Sequence, residues 1–299
     1  MAARSEKSLG LIFGLSAYIL WGLFPLYWPL LKPASAYEIV AHRAVWTLVF
    51  CLVVLAFHKK LGHTFAQLKK PKTLFGLAAT SALISINWIV YIWATNTGHV
   101  VEASLGYYIN PLVIIAFGVL LLKEKMRTGQ WIAVGIATTG VAVLTIDYGR
   151  LPWIALALAL SWGSYGVIKK VLGLGALEGL TIETMLSFIP YMTFLLFIQN
   201  NGTGQFGHHL ALSFLLLSAG AVTAIPLLLF NGSTTRLPYT VIGLLQYITP
   251  TIQFSIGVWV RHEAMPAARW IGFIFIWFAL ATLAIDLLRS SRTVDNRIA

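Results

Sequence analysis

The sequence predicts an all-α integral membrane protein: ten transmembrane helices arranged as two inverted five-helix repeats. Three observations predict it. Of 299 residues, 58% are hydrophobic and 10% charged, against about 25% charged in an ordinary soluble domain, and the mean hydropathy is +0.80. The apolar residues fall into ten runs, each near the ~20 residues that a helix needs to cross the hydrocarbon core. Finally, the chain matches itself at an offset of 139 residues.

The runs lie near 9–31, 37–57, 73–95, 100–122, 129–146, 151–171, 180–199, 210–231, 237–260 and 268–288. Charges, Gly or Pro bound each one. Their connections are short, which makes successive helices antiparallel neighbours and leaves no room for a soluble domain. The first run follows Arg4 and Lys7 and ends in "WPLLKP" rather than in small residues, so no cleavable signal peptide is expected. The single cysteine, Cys51, lies within the second run and has no intramolecular partner, which argues against redox chemistry. Gly10 and Gly14 form a small-xxx-small pair suited to helix packing.

Lys and Arg set the direction of the first span. With the N-terminus in the cytoplasm, cytoplasmic segments hold 16 of the 21 Lys and Arg. The opposite side holds Lys32, Arg150, Arg261 and Arg269, and Arg43 lies inside a span. That asymmetry fits an even number of spans in the cell inner (plasma) membrane, with both termini cytoplasmic. The net charge of +11 then reads as a topogenic signal facing anionic lipid, not as a nucleic-acid footprint.

Residues 105–147 align without a gap to 244–286, with 14 identities in 43. Among them are Tyr108/Tyr247, Pro111/Pro250, Gly118/Gly257, Glu124/Glu263, Met126/Met265, Trp131/Trp270 and Asp147/Asp286. Apolar bias would match Leu and Ile but would not bring Pro, Glu, Trp and Asp into one register. "LWG" at 20–22 recurs as "SWG" at 161–163. The halves are therefore 1–148 and 149–299. Each has five helices, an odd number, so the second enters the membrane from the other side. Inverted repeats of this kind are related by a pseudo-two-fold axis in the membrane plane, with substrate bound where the halves meet.

The run "VEASLGYYINPLVIIAFGVLLLKEKMRTGQWIAVGIATTGVAVL" resembles the repeat of the drug/metabolite transporter superfamily, EamA branch. "EASLGYYINPL", "YEIVAHRAVW" at 37–46 and "INWIVYIWATN" at 86–96 resemble the RarD group within it. The resemblance covers nearly the whole chain. It implies a ten-helix inner-membrane carrier with a central cavity that moves a small organic solute: an exporter of a metabolite or drug, with amino-acid-like and aromatic compounds among the candidates. The group's chloramphenicol-sensitivity label establishes no substrate. The second half departs from the pattern: "LQYITP" stands where the first has "GYYINP", so the two half-sites are chemically unequal.

An ionisable residue inside a span is costly and usually faces the bundle interior or water. The second span carries Glu38, His42 and Arg43. Glu38 and His42 share a helix face, and the three read as an external gate that binds a carboxylate or takes up a proton. Alternatively, Glu38 is a solvated helix start and Arg43 snorkels or pairs with it. Glu183, in the repeat-related seventh span, reads as an inner gate or coupling carboxylate, or as a solvated helix N-terminus.

In the third span Asn87, Tyr91 and Thr95 share a face, with Trp88 beside them. They suit a cavity wall for a ring or amphipathic ligand, or interhelical hydrogen bonds and an aromatic belt. Trp21, Trp162 and Tyr165 are read in the same two ways. Glu102 begins the fourth span with no Lys or Arg nearby in sequence. Gly106 allows close helix approach. Tyr107, Tyr108 and Asn110 lie deeper, and Pro111 frees a backbone carbonyl. This stretch reads as a hinge joined to a half-site, to which the second copy adds Gln246, Tyr247 and the hinge Pro250. The plainer alternative is a Pro-kinked packing helix with Glu102 in the headgroup zone.

Glu124 and Glu263 end equivalent spans and are expected to tie down short loops. His99 and Glu102 have a spacing that a metal could use, but without further ligands no metal is expected, and no cofactor. No GxxxxGK[ST] string occurs, so energy would come from the solute gradient or from protons acting through Glu38, Glu102 or Glu183. A homodimer is left open. The competing classes are a non-transporting membrane subunit or sensor, and a membrane-embedded enzyme.

Overall fold

The structure is a computed structural model that describes residues 2–122, 128–234, 236–237 and 245–298. Its long helices are α1 (Ala2–Gly22), α2 (Ala36–Phe57), α3 (Pro71–Asn96), α4 (Val100–Leu122), α5 (Thr128–Tyr148), α6 (Trp153–Leu172), α7 (Ala176–Asn200), α8 (Leu210–Thr234) and α10 (Ala267–Ile298). Between the last two lies the shorter α9 (Ile248–Ser255), which runs into a π-turn at Ile256–Val260. Two short helical turns, Phe24–Tyr27 and Trp28–Leu31, follow α1. Each carries a Pro in its first turn, where the missing N–H costs nothing, so the first apolar run is a helix with a broken end. Leu61–Ala66 and Gln67–Lys69 form further turns between α2 and α3.

Local chemistry sets several ends. The Ser35 hydroxyl accepts from Glu38 N–H at 3.1 Å and caps α2. Pro71 opens α3. Gly173 closes α6 in the left-handed region at φ +63°, where other residues are strained.

Among the described residues, seven helices are long and apolar enough to cross a membrane: Glu6–Leu31, Ala36–Phe57, Pro71–Asn96, Thr128–Tyr148, Leu177–Asn200, Leu210–Ser233 and Ala267–Asp286. Trp153–Lys169 and Ile248–Val260 are shorter apolar helices. Polarity is inverted relative to a soluble protein. Phe57, Phe75 and Ile146 are strongly exposed, while Glu38, Arg43, Glu102 and Glu183 are buried. The chain is a multi-pass membrane protein.

The closest packing joins helices distant in sequence rather than successive ones. The main pairs are α5 with α10, α4 with α6, α2 with α8, α2 with α7, α3 with α6, and α1 with α8. Two apolar cores result, one built mainly on the turns after α1 with α2, α3 and α6–α8, the other mainly on α4, α5, α9 and α10. Neither core belongs to one half of the chain. Lipid supplies no hydrophobic force between helices, so small residues that permit backbone contact matter most. At Gly220 a Cβ would strike the Trp46 backbone, and at Gly140 it would lie 2.9 Å from the Gly272 carbonyl oxygen. Gly14 similarly meets Ser233.

Among the described residues five ion pairs bind the ends. Arg150–Glu102 (2.8 Å) and Arg269–Asp147 (3.0 Å) join residues that the charge count assigns to the outside. Lys60–Glu178 (3.8 Å), Lys169–Glu183 (3.0 Å) and Arg236–Glu6 (2.8 Å) join residues assigned to the cytoplasmic side. None of these five joins residues assigned to opposite sides.

Candidate functional site

Arg43 lies seven residues into α2, about 10 Å from its start, and its side chain points into the bundle with 5% of its surface exposed. Its guanidinium carbon is 4.0 Å from the Trp88 ring centroid, 4.9 Å from Trp28 and 5.8 Å from Phe24. These contacts replace part of the lost hydration. Nε donates to Thr223 Oγ1 at 2.7 Å. Nη1 is buried and meets no acceptor among the described residues. Tyr27, Tyr91, Tyr107 and Tyr191 lie within electrostatic reach. The Tyr91 hydroxyl is likewise buried with no partner among the described residues, and its ring meets Tyr107 edge-on at 5.6 Å. Residues from α2, α3, α4, α7 and α8, with the turns after α1, thus converge on one cation.

Glu38 and His42 do not join it. Successive helical residues are rotated by about 100°, so they occupy a different face of α2. Glu38 Oε1 accepts from Gln205 N–H at 2.6 Å, and His42 stacks on Phe206 at 4.8 Å. That face grips the connection between α7 and α8. The three residues predicted as one gate are therefore a strap (Glu38, His42) and a separate buried site (Arg43).

Glu183 is buried among donors: Thr80 Oγ1 at 2.7 Å, Lys169 Nζ at 3.0 Å and Tyr165 Oη at 3.2 Å. It joins α7 to α3 and α6. Glu102 is met by Arg150 through both terminal nitrogens, at 2.8 and 3.3 Å, and by the Ile154 N–H at 3.1 Å. The cation that the local sequence lacked comes from the α5–α6 connection. His99 stacks on Trp93 at 5.3 Å, so His99 and Glu102 are engaged apart. Among the described residues no group of three or more His, Cys, Asp or Glu could hold a metal.

The remaining residues divide. Trp88 and Tyr91 belong to the Arg43 site, with Tyr107. Asn87 Nδ2 instead donates to the Leu158 carbonyl (3.1 Å) and Ser161 Oγ (2.9 Å), tying α3 to α6. Tyr108 and Tyr247 line a separate groove of about 460 Å³ with Thr251, Phe254, Trp259 and Trp277. Tyr108 Oη donates to Thr251 Oγ1 at 3.0 Å. Asn110 is buried, and its Oδ1 has no partner among the described residues. Gln246 lies in the turn before α9, and Pro250 in the first turn of α9. The Pro111 side chain and Glu124 lie outside the described residues. Glu263 accepts from the Val100 and Val101 N–H groups at the start of α4, so it caps a helix of the first half rather than only tying down a short loop. Sequence reading missed Thr223, Trp28, Phe206 and Thr80, because an isolated Thr or aromatic in an apolar run carries no signal of its partner.

The EamA-like transporter family matches residues 8–146. Protein RarD of Streptomyces exfoliatus is 48% identical over 100% of this chain and 95% of its own length. The uncharacterized transporter YojE of Bacillus subtilis is 44% identical over 97% of this chain and 98% of its own. Protein RarD of Escherichia coli is 38% identical over 99% and 100%. A protein crystal structure superposes on 94% of this chain and 98% of its own with a TM-score of 0.60 at 17% identity, which is a likeness of fold. The chain belongs to the EamA family of the drug/metabolite transporter superfamily, and within it to the RarD type.

Proposed function

We propose that this protein is a secondary active transporter of a small organic solute. It works by alternating access between two inverted five-helix repeats, 1–148 and 149–299, that make ten spans. One observation carries the reading. If α1–α5 are exchanged with α6–α10, the most extensive helix contacts map onto one another. The α4–α6 contact becomes α9–α1, α3–α6 becomes α8–α1, and α2–α8 becomes α7–α3, while α2–α7, α4–α9 and α5–α10 map to themselves; every one of these contacts is present. A pseudo-two-fold produces this pattern, and a two-fold in the membrane plane lets one arrangement open to either side. The names of the relatives support transport.

Arg43, at 5% exposure, sits where both repeats meet, which fits an occluded solute site. The outer closure comprises Glu102–Arg150 and the grip of Glu38 and His42 on residues 205–206. The inner closure is Glu183–Lys169. A proton taken up by Glu183 removes the charge that holds Lys169, which links proton binding to release of α6 from α7. Transport runs outward across the inner membrane, with both termini cytoplasmic.

The test is counterflow of a metabolite and drug panel in proteoliposomes, with and without a pH gradient. Uptake of at least one labelled solute into preloaded vesicles is expected. A panel that shows no flux, in protein proven folded, favours the subunit or sensor instead. Orientation is checked with single cysteines in a Cys51→Ala background. Arg150→Cys and Arg269→Cys should react with an impermeant maleimide from outside, and Lys60→Cys only after permeabilisation.

A further inference from the structure

We infer that Arg43 and Tyr91 form a recognition site for the carboxylate of an organic anion whose apolar body lies against the surrounding aromatic rings. The inference rests on the transporter reading above and names the class of its solute.

A guanidinium withdrawn from water keeps its charge and needs a counter-charge or a full set of acceptors. Among the described residues no carboxylate pairs with Arg43. Glu6, Glu102, Asp147, Glu178 and Glu183 are held in ion pairs, and Glu38 and Glu263 are held by backbone N–H groups. Trp88 and Trp28 engage the guanidinium but accept none of its N–H bonds. One hydroxyl, Thr223 Oγ1, accepts from Nε.

Among the described residues three buried donors at this site are left without acceptors, Arg43 Nη1, Tyr91 Oη and Trp28 Nε1, and Arg43 and Tyr91 lie within electrostatic reach of each other. A stacked guanidinium has its planes covered, so its remaining bonding direction is the in-plane edge. That edge matches the two oxygens of a carboxylate. A neutral amide offers one carbonyl oxygen and no charge, and would leave the cation uncompensated. The rim is aromatic, with Tyr27, Tyr107 and Tyr191 around the charge. It suits a carboxylate borne on an apolar or ring-shaped body rather than a small hydrated ion.

The experiment measures equilibrium binding to the full-length protein in nanodiscs, by tryptophan fluorescence and thermal shift. The probes are phenylacetate and hexanoate, each paired with its amide, with inorganic phosphate as an anion control. The carboxylates should bind, and the amides should bind at least roughly tenfold more weakly, the loss of one charge-assisted contact. Arg43→Gln and Arg43→Lys should each weaken phenylacetate binding by roughly tenfold or more, since a Lys point charge lacks the planar fork. Tyr91→Phe, which removes a single oxygen, should weaken it about three- to tenfold while the melting temperature stays near wild type. That variant keeps the test decisive if the Arg43 variants do not fold. The inference is overturned if neither carboxylate binds, if the amides or phosphate bind as well, or if Tyr91→Phe binds phenylacetate like wild type. Counterflow of an uncharged solute without carboxylate binding would sink this site and leave transport standing. Carboxylate binding without any flux would do the reverse.

Discussion

Glu263 and Val100 are 163 residues apart in sequence, yet the Glu263 carboxylate accepts from the Val100 N–H at 2.5 Å and from the Val101 N–H at 2.8 Å. The first N–H groups of α4 have no partner inside the helix, and they carry the positive end of its dipole. A carboxylate from the far half of the chain satisfies two of them. The two halves are thus fastened at the start of α4 by a helix cap, beside the close packing of Val100 and Val101 on Gly257.

Removing that cap should be measurable. Glu263→Ala should lower stability by roughly 1 kcal/mol, in the range of lost N-caps. Glu263→Gln should recover part of the loss, because its amide oxygen still accepts. Thermal unfolding in nanodiscs reads the total effect. Hydrogen exchange should speed up first at residues 100–103, and unchanged exchange there would contradict the capping role.

The Glu102–Arg150 pair is asymmetric. Glu102 is 2% exposed at its side chain and Arg150 is 40% exposed. Arg150→Ala strands a buried carboxylate and should cost about 1–3 kcal/mol. Glu102→Gln keeps an acceptor for the Ile154 N–H and frees a cation that can reach water, so it should cost less. Melting temperatures in the opposite order would show that the pair does not hold the α4–α6 contact in this way.

Gly106 abuts α6, where a Cβ would lie 2.8 Å from the Ala155 carbonyl oxygen. The repeat-related position holds Leu245. Copying that residue across, as Gly106→Leu, should force α4 from α6 and destabilise by about 1–3 kcal/mol, the usual range for overpacking. Gly106→Ala should show a smaller loss of the same sign. Wild-type stability in both would mean the two backbones do not meet there.

Glu183 should carry the response to a pH gradient. Glu183→Gln keeps a single acceptor oxygen, enough for Thr80 or Tyr165, but cannot hold Lys169 by charge or exchange a proton. Solute exchange at equal pH on both sides should persist, while stimulation by an imposed gradient should vanish. The comparison is a pair of proteoliposome assays. A variant that still responds fully to the gradient would move the coupling role elsewhere.

Much of the fold was legible. The run near 37–57 became Ala36–Phe57, and that near 73–95 became Pro71–Asn96. The run near 210–231 became Leu210–Thr234. Hydrocarbon thickness dictates the length of such runs, and charges cannot enter them cheaply. The first span was less legible, because Pro25 and Pro29 divide its C-terminal end into short turns. Which helices would touch was not legible either: packing without a hydrophobic drive depends on where small residues such as Gly220 and Gly140 face one another.

The site was legible by residue type but not by grouping. Glu38, His42 and Arg43 are adjacent in sequence and look like one unit, yet a single step round the helix sends Arg43 inward and the other two toward residues 205–206. Tyr107 and Tyr108 separate for the same reason, one toward Arg43 and the other into the groove with Tyr247. Thr223, the hydrogen-bond partner of Arg43, lies 180 residues away with nothing local to mark it.

By itself, the sequence determined that this chain lives in lipid, roughly where it crosses, and that its second half echoes its first. Composition and spacing act through solvation, and solvation is local. Only the tertiary structure decided which buried charges are paired and that Arg43 is caged by rings with no carboxylate partner among the described residues. Those outcomes depend on which faces meet across helices remote in the chain, and no window of sequence contains both faces.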